Sequence, residues 1–277
     1  MDQIQHKLIQ ARGLNYHVAE IGTGFRAIAP DFRGYGLADQ PTEPEKTTFA
    51  DMIDDLVGIL DALEIAKVVL VGKDFGARSA CILPLLHPDR VLGVVTIGIP
   101  FVPPGPAPYH KYLPEGFYIN RWIVPGRAEA EFGRFDAKTV VRSVYILFSG
   151  SELPIAAENQ EVMDLVDPST PLPSWFFEED LAAYGALYEK SSFRTALQSS
   201  AYPEVKLKAT SLLIMGSRDY ILKFPGMEDY TKSGAVKEFV PDLEIVYLTE
   251  GTHFVQEQSP DEVNQLILTF LNARICS

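Results

Sequence analysis

Residues 68–80, VVLVGKDFGARSA, place an aspartate between two glycines where an apolar run gives way to a helical pattern. The spacing Gly72-x-Asp74-x-Gly76 is typical of a nucleophile elbow, a strained strand-to-helix turn that exposes its central side chain. Glycines two residues to either side would let neighbouring backbone approach closely. The N-terminus of the helix would keep a carboxylate ionised. The segment predicts a nucleophile at Asp74, and the simpler alternative is an aspartate that caps the helix.

Two more polar residues follow later apolar runs. Asp219 comes three residues after SLLIMG, and His253 lies shortly after EIVYL. In open α/β sheets, functional groups gather at the carboxyl ends of the strands. Taken singly, Asp219 suits a turn and His253 suits a helix start or the surface. Because each follows a strand in the order nucleophile, acid, histidine, we expect the three side chains to act together.

Apolar patterning predicts the elements that must position these residues. Lys67 begins a continuous β-branched run that indicates a strand buried on both faces. Strands alternating with helices indicate an α/β fold with a mostly parallel sheet and helices on both faces. The predicted strands are 6–11, 14–21, 27–29, 67–71, 91–99, 211–215 and 244–248, and the predicted helices are 49–63, 75–86, 128–135, 138–148, 178–189 and 260–271.

The chain changes character after residue 100. Residues 101–205 are rich in proline and aromatic residues and carry helical patches, but few buried strand runs. Residues 206–277 return to alternating strands and helices. We therefore expect residues 1–100 and 206–277 to form the α/β core and residues 101–205 to form a helical lid.

Composition excludes several classes of function. The chain has 277 residues and a net charge of −13, so nucleic acid and anionic membrane surfaces are not expected partners. No apolar run approaches the ~20 residues that span a bilayer. Cys81 and Cys276 form neither a CxxC pair nor a metal-ligand pattern, so we expect no metal, no cofactor and a reducing compartment, the cytoplasm. The sequence gives no indication of the oligomeric state.

The sequence resembles the plant soluble epoxide hydrolases of the α/β-hydrolase superfamily. The resemblance covers most of the chain and is strongest after residue 206. The matching stretches are APDFRGYGLADQP (29–41), VGKDFGARSA (71–80), FYINRW (117–122), LIMGSRDYILKFPG (213–226) and EGTHFVQEQSPDEV (250–263).

The resemblance implies an activity and assigns roles. Asp74 would open the oxirane of a small apolar epoxide and form an alkyl-enzyme ester. His253, oriented by Asp219, would activate the water that hydrolyses the ester to a vicinal diol. Tyr118 matches a lid tyrosine that protonates the oxirane oxygen, as an opening epoxide requires. The alternative for Tyr118 is an aromatic residue of the lid core.

Three departures from the family pattern matter. The family has a strand, an HG-x-P loop and a helix where this chain has only residues 22–24, and no HG-x-P occurs anywhere. The sheet should therefore lack one central strand, and the N–H of Phe75 would be the surviving oxyanion donor. The second lid tyrosine has no clear match, with Tyr202 the nearest candidate. Lys73 and Phe75 stand where histidine and tryptophan are usual.

These departures lead to two expectations. The chain reads as a shortened product of a longer gene, which a transcript spanning the Gly24–Phe25 junction would test. Loss of one oxyanion donor typically lowers a rate ~10²–10³-fold. Ester hydrolysis makes an oxyanion at Asp74 whereas epoxide opening does not, so ester hydrolysis should be the impaired step.

Two other functions remain open at the level of sequence. A dehalogenase uses the same Asp–His–Asp chemistry, but it needs N–H donors for halide rather than phenols, and Tyr118 favours the epoxide. Halide release from a chloroalkane would discriminate. A non-catalytic binding protein of this fold is favoured by the missing loop, whereas the intact Asp74, Asp219 and His253 argue against it.

Overall fold

The computed structural model of the protein describes residues 4–43, 47–103, 112–124, 126–191 and 206–276. Backbone contacts divide the chain into two compact units. One consists of Met1–Ala66, Glu129–Val141 and Glu179–Ser200, and the other of Lys67–Ala128, Arg142–Glu178 and Ala201–Ser277. The division into a core and a lid, which is defined by layers rather than by contacts, stays a prediction.

The strands form two sheets. An antiparallel sheet has the order β1-β2-β3, and a parallel sheet has the order β4-β5-β6-β7. Their bounds are β1 Gln5–Ala11, β2 Leu14–Thr23, β3 Phe25–Pro30, β4 Val68–Lys73, β5 Val91–Ile97, β6 Thr210–Gly216 and β7 Leu243–Leu248. The prediction of an α/β fold with a mostly parallel sheet is confirmed, with strand boundaries that shift by at most two residues.

Helices follow most strands of the parallel sheet. Within the described residues the α-helices are α1 Phe49–Ala62, α2 Phe75–Leu86, α3 Tyr118–Trp122, α4 Arg127–Phe132, α5 Ala137–Phe148, α6 Glu178–Ser191, α7 Met227–Lys232, α8 Val255–Gln258 and α9 Pro260–Arg274. Thr48 and Asp51 form a capping box at the start of α1, which explains why that helix begins at Phe49.

Two tight turns shape the antiparallel sheet. Arg12 and Gly13 join β1 to β2 with φ angles of 47° and 81°, as a type I′ turn requires. Gly24, with φ 102°, alone separates the paired ends of β2 and β3. This sheet has its own apolar cluster, formed by Ala11, Tyr16, Val18, Ala38 and Ile59.

The parallel sheet carries the larger core. Strands β5 and β6 lie in its interior and are almost continuously buried. Their inward side chains pack against α9, whose Val263 and Phe270 are buried. The cluster consists of Val95, Ile97, Leu212, Ile214, Leu248, Val255, Val263 and Phe270.

Strand β4 differs from its predicted environment. It pairs with β5 alone among the described residues and is therefore an edge strand. Val71 is 54% exposed, and Val68, Val69 and Leu70 are only partly buried. The expectation of burial on both faces is wrong, because no described strand pairs with the other edge of β4. The strands form two sheets, with β3 and β4 each at an edge, as expected of a sheet that lacks a central strand.

Three further observations concern membranes, cysteines and metals. No helix in the described part of the chain is long and apolar enough to cross a bilayer. Cys81 is buried, Cys276 is exposed, and both are free thiols. Among the same residues, no group of three or more histidine, cysteine or acidic side chains is arranged to hold a metal ion.

Candidate active site

The turn between β4 and α2 has the strained geometry that the glycine spacing predicts. Asp74 has φ 51° and ψ −124°, a conformation that few non-glycine residues adopt. A Cβ on Gly72 would lie 2.5 Å from the carbonyl oxygen of Gly76, so only glycine fits there. The Asp74 side chain makes no capping hydrogen bond to α2. The alternative reading of Asp74 as a simple helix cap is therefore wrong.

Gly76 does not serve the purpose predicted for it. Outside α2's own backbone, a Cβ at this position would meet nothing within 4 Å. The close approach in this elbow belongs to Gly72 alone. The space beside Gly76 and the 47% exposure of the neighbouring Phe75 side chain show that this side of the turn is uncovered by the described residues.

Asp219 lies just beyond the carboxyl end of β6, as predicted. Its carboxylate is buried and accepts a hydrogen bond of 3.0 Å from the N–H of Ile221, which caps the short 3₁₀ turn Tyr220–Lys223. The same carboxylate faces His253, with 3.0 Å from Nδ1 to Oδ1 and 3.1 Å to Oδ2. Asp219 is therefore both a turn residue, the simpler alternative, and a partner of the histidine.

The loop after β7 presents His253, which is only 2% exposed. This loop is tied to the loop after β6 by two backbone hydrogen bonds, from the N–H of Ser217 to Leu248 and from the N–H of Arg218 to Gly251. The expectation that Asp219 and His253 meet at the carboxyl edge of the sheet is met by this pairing of loops. The simpler alternative of a surface histidine does not fit its burial.

Asp74 faces the other side of the same imidazole. The Nε2 atom of His253 lies 3.7 Å from Oδ2 of Asp74, too long for a hydrogen bond but close enough for strong electrostatic attraction. Both Nε2 of His253 and Oδ1 of Asp74 are buried and have no hydrogen-bond partner within the described part of the chain. Two orphaned polar atoms within one site are typical of a functional centre that awaits a ligand.

Gly98, directly after β5, supports the histidine and its acid. Its φ is 76°, and its N–H donates to the carbonyl of Ile214 on β6. A Cβ there would come within 3.2 Å of Oδ2 of Asp219 and 3.3 Å of Nδ1 of His253. The sequence analysis did not single out this glycine, although a glycine near the end of a predicted buried strand was the available signal.

The charges of the site reinforce one another. Burial raises the pKa of Asp74, but the nearby His253, the positive charge of Lys73 and the N–H of Phe75 outweigh it, so the pKa falls below its ordinary value. Burial and the charge of Lys73 lower the pKa of His253. The carboxylates of Asp219 and Asp74 raise it by more, so the pKa lies above its ordinary value. Asp74 is therefore ionised at neutral pH.

Lys73 adds a cation beside the nucleophile. Its amine lies 5.2 Å from the centre of the Phe254 ring, within the range of a cation–π interaction. Burial lowers the pKa of Lys73, although the carboxylates of Asp74, Asp219 and Glu257 oppose that shift. The residue that replaces the usual histidine therefore supplies positive charge to the elbow.

Tyr118 begins α3 and lies in an aromatic cluster. Its ring centre is 4.6 Å from that of Phe117, 4.8 Å from Phe148 and 5.1 Å from Trp122. Burial, together with the charge of Asp74, raises the pKa of its phenol, which remains protonated at neutral pH. Tyr118 is thus a packed aromatic residue that also keeps an O–H near the nucleophile.

A second phenol in the site was missed by the sequence analysis. The hydroxyl of Tyr220 lies 3.5 Å from that of Tyr118, and its ring centre lies 4.9 Å from that of His253. Its position directly after Asp219 was the signal that could have found it. Tyr202, the candidate for the second lid tyrosine, lies outside the described residues.

Comparisons with known proteins agree with this architecture. A family profile described as "alpha/beta hydrolase fold" matches residues 5–260. "Epoxide hydrolase 3" of Siraitia grosvenorii is 32% identical over 316 aligned positions, which cover 98% of this chain and 99% of the relative. With 316 aligned positions and 277 residues, at least 39 positions of that alignment are gaps in this chain.

Solved structures give the same result. The structure of potato (Solanum tuberosum) epoxide hydrolase I is 28% identical with a TM-score of 0.85, and covers 98% of this chain and 99% of its own. An epoxide hydrolase from Vigna radiata is 27% identical with a TM-score of 0.85, at 97% and 98% coverage. The chain therefore belongs to the α/β-hydrolase family and, within it, to the plant epoxide hydrolases.

Proposed function

We propose that the protein hydrolyses epoxides to vicinal diols through an ester on Asp74. The observation that carries the proposal is the position of His253 between two carboxylates, hydrogen-bonded to Asp219 and 3.7 Å from Asp74. The kinship with plant epoxide hydrolases supports the choice of substrate class. The buried phenol of Tyr118 supports it further, because an opening epoxide needs a proton donor.

The first half-reaction is alkylation. An oxygen of the Asp74 carboxylate attacks an oxirane carbon, and the bond between that carbon and the ring oxygen breaks. The departing oxygen takes the proton of Tyr118 and becomes a hydroxyl group, which leaves a phenolate. The low pKa of Asp74 keeps the nucleophile ionised, and the raised pKa of Tyr118 keeps the acid protonated.

The second half-reaction is ester hydrolysis. His253 takes a proton from water, and the resulting hydroxide attacks the carbonyl carbon of the ester. The tetrahedral oxyanion collapses with cleavage of the bond to the diol oxygen, which receives the proton from His253. The Asp74 carboxyl then returns a proton to the Tyr118 phenolate, so both groups regain their starting states. Asp219 holds the imidazole in the tautomer and orientation that this sequence needs.

Ester hydrolysis is the step that we expect to be slow. The tetrahedral oxyanion needs N–H donors, and Phe75 supplies the one backbone donor that follows the nucleophile. Oδ1 of Asp74 is buried and has no hydrogen-bond partner among the described residues, as expected where a second donor is missing. Loss of one donor typically costs ~10²–10³-fold in rate. The alkyl-enzyme ester should therefore accumulate.

The surroundings favour an apolar substrate. Aromatic rings dominate the contacts of Tyr118 and His253, and Tyr145 stacks between Phe176 and Phe254 at ring distances of 3.8 Å and 4.4 Å. Epoxides of fatty acids and small aryl epoxides both suit such a lining.

The cytoplasmic location remains a prediction from the cysteine usage.

Intact-mass analysis tests the proposal. The purified protein is incubated with an epoxy fatty acid, and diol is assayed in the same tube. We expect a covalent adduct that is absent from Asp74→Ala and retained in Asp229→Asn, which changes an exposed carboxylate on α7. Adduct with slow diol formation supports the whole scheme, whereas adduct with equally fast diol formation contradicts only the impairment. Neither adduct nor diol would overturn the proposed function.

A further inference from the structure

Two phenols meet in the site from separate parts of the chain. Tyr118 opens α3, and Tyr220 follows Asp219 directly in the loop after β6. Their hydroxyl oxygens are 3.5 Å apart, and both side chains are almost fully buried. The mechanism above uses the first phenol and leaves the second without a role.

The fold holds the Tyr220 ring firmly. Tyr220 begins the 3₁₀ turn that Asp219 caps, so the acid of the triad also fixes the backbone of the tyrosine. Its ring centre lies 4.9 Å from His253, 5.2 Å from Phe148 and 6.0 Å from Phe224. Packing on several sides restricts the ring, and its hydroxyl faces the hydroxyl of Tyr118.

The direction of this contact is determined by which phenol keeps its proton. Burial and the negative charge of Asp74 raise the pKa of both phenols, so both are protonated before the reaction. Either hydroxyl can be the donor in the resting site. Once Tyr118 has given its proton to the substrate, only Tyr220 still carries a proton, so Tyr220 is then the donor and the Tyr118 oxygen is the acceptor.

The charge of the site moves during alkylation. Asp74 loses its negative charge when it becomes an ester, and the Tyr118 oxygen gains that charge when it gives up its proton. The share of the raised pKa that comes from repulsion by Asp74 therefore disappears as the phenolate forms, while the effect of burial remains. A hydroxyl that already faces the Tyr118 oxygen is placed to stabilise this new charge.

We propose that Tyr220 is a positioning residue that donates its O–H to the Tyr118 oxygen, directs the Tyr118 proton to the substrate and stabilises the resulting phenolate. The proposal rests on the proposed function. Tyr220 keeps its own proton throughout, so the balance of the two half-reactions is unchanged. The distance of 3.5 Å is long for two hydroxyls, but hydrogen bonds to a charged oxygen are shorter, and catalytic contacts commonly tighten with substrate bound.

Single-turnover alkylation of Tyr220→Phe tests this role. The variant keeps the ring and its packing and removes only the hydroxyl. With a simple alkyl epoxide we expect the saturating alkylation rate to fall about tenfold, with half-saturation and ester hydrolysis unchanged. Tyr230→Phe is the matched control, because it removes a phenolic O–H that donates to the carbonyl of Phe101 away from the site.

Two readouts separate this role from packing. An epoxide with a trifluoromethyl group forms a less basic alkoxide that needs less help from an acid, so the effect of Tyr220→Phe should shrink with that substrate. Equal losses with both substrates, or no loss, would overturn the proposal. The second readout is the double variant: Tyr220→Phe should cause no further loss of alkylation rate in Tyr118→Phe, whereas a loss caused by packing would persist there.

The same experiments distinguish the two ways to fail. If wild type forms neither adduct nor diol, the proposed function is wrong and the role of Tyr220 falls with it. If wild type reacts but Tyr220→Phe lowers the alkylation rate equally with and without the Tyr118 hydroxyl, only the inference about Tyr220 is overturned.

Discussion

The Nε2 atom of His253 faces Oδ2 of Asp74 across 3.7 Å, while Nδ1 on the opposite side of the ring contacts Asp219. One imidazole is thus held between two carboxylates. In the proposed scheme the first carboxylate becomes a neutral ester and the second does not. The environment of His253 therefore changes when the substrate is attached.

This change predicts a shift in pH dependence. The carboxylates of Asp219 and Asp74 together raise the pKa of His253 above its ordinary value, against burial and the charge of Lys73. Esterification removes the contact of His253 with the Asp74 carboxylate and moves that negative charge to the Tyr118 oxygen, so the pKa of His253 in the ester should be lower than in the free protein. A histidine acts as a base only when it is neutral. Ester hydrolysis should rise with pH and level off above that lower pKa.

Rapid-quench mass spectrometry of the preformed ester across pH ~5–9 measures the hydrolysis profile, and NMR titration gives the pKa of His253 in the free protein. An apparent pKa for hydrolysis equal to or above the value in the free protein would contradict the argument.

Replacement of Asp219 should separate the two half-reactions. In Asp219→Asn the amide cannot stabilise an imidazolium and favours the wrong tautomer of His253. Loss of the orienting acid in a Ser-His-Asp triad lowers turnover about 10⁴-fold, so we expect ester hydrolysis to fall on the order of 10³-fold or more. Alkylation by Asp74 should continue, and adduct should persist. Asp229→Asn is the control, and loss of the adduct itself in Asp219→Asn would refute the separation.

Gly98 offers a test of how tightly the triad is held. Gly98→Ala places a Cβ within 3.2–3.3 Å of Asp219 and His253 at a φ of 76°. Gly226→Ala has the same backbone problem at φ 74°, but its Cβ meets nothing within 4 Å. Both should lower the free energy of unfolding by about 1–2 kcal/mol, since L-residues adopt this conformation at a cost.

Only Gly98→Ala should slow ester hydrolysis, by at least tenfold, because small displacements of catalytic groups are costly in rate. Urea unfolding and single-turnover hydrolysis give the two quantities. Equal losses of the hydrolysis rate in Gly98→Ala and Gly226→Ala would show that the space beside Gly98 at Asp219 and His253 does not matter for the reaction.

The exposed edge of β4 predicts self-association. Val71 is 54% exposed on a strand whose second edge pairs with no described strand. Apolar edge strands recruit other chains, and an edge lysine opposes this. Val71→Lys should reduce light scattering of concentrated protein. Leu92→Lys is the control, because Leu92 is 44% exposed on β5, which has a partner on both sides. Equal reduction by both variants would point to net charge instead.

Much of the site could be predicted from the sequence because its residues stand in recognisable local patterns. Asp74 sits in a glycine-framed elbow, and Asp219 and His253 each follow an apolar strand. The roles assigned to them remain proposals, but their positions were predicted correctly. The reason is that parallel strands bring their carboxyl ends to one edge, so order along the chain predicts proximity.

Other features depend on tertiary neighbours that the sequence does not specify. The run from Val68 to Val71 has the composition of a doubly buried strand, yet its environment is that of an edge. In the sequence Tyr220 is one of twelve tyrosines. Only the fold places it beside Tyr118. Both features depend on burial and on pairing between distant segments, and a local sequence pattern predicts neither of these.

The separation of the strands into two sheets has a thermodynamic consequence. Each sheet has its own apolar cluster, and the described strands form no hydrogen-bonded ladder from β3 to β4. All-or-none unfolding requires that structural parts lose their order together. On heating, we expect the antiparallel sheet with its smaller cluster to melt first. The calorimetric enthalpy of unfolding should then exceed the van't Hoff enthalpy.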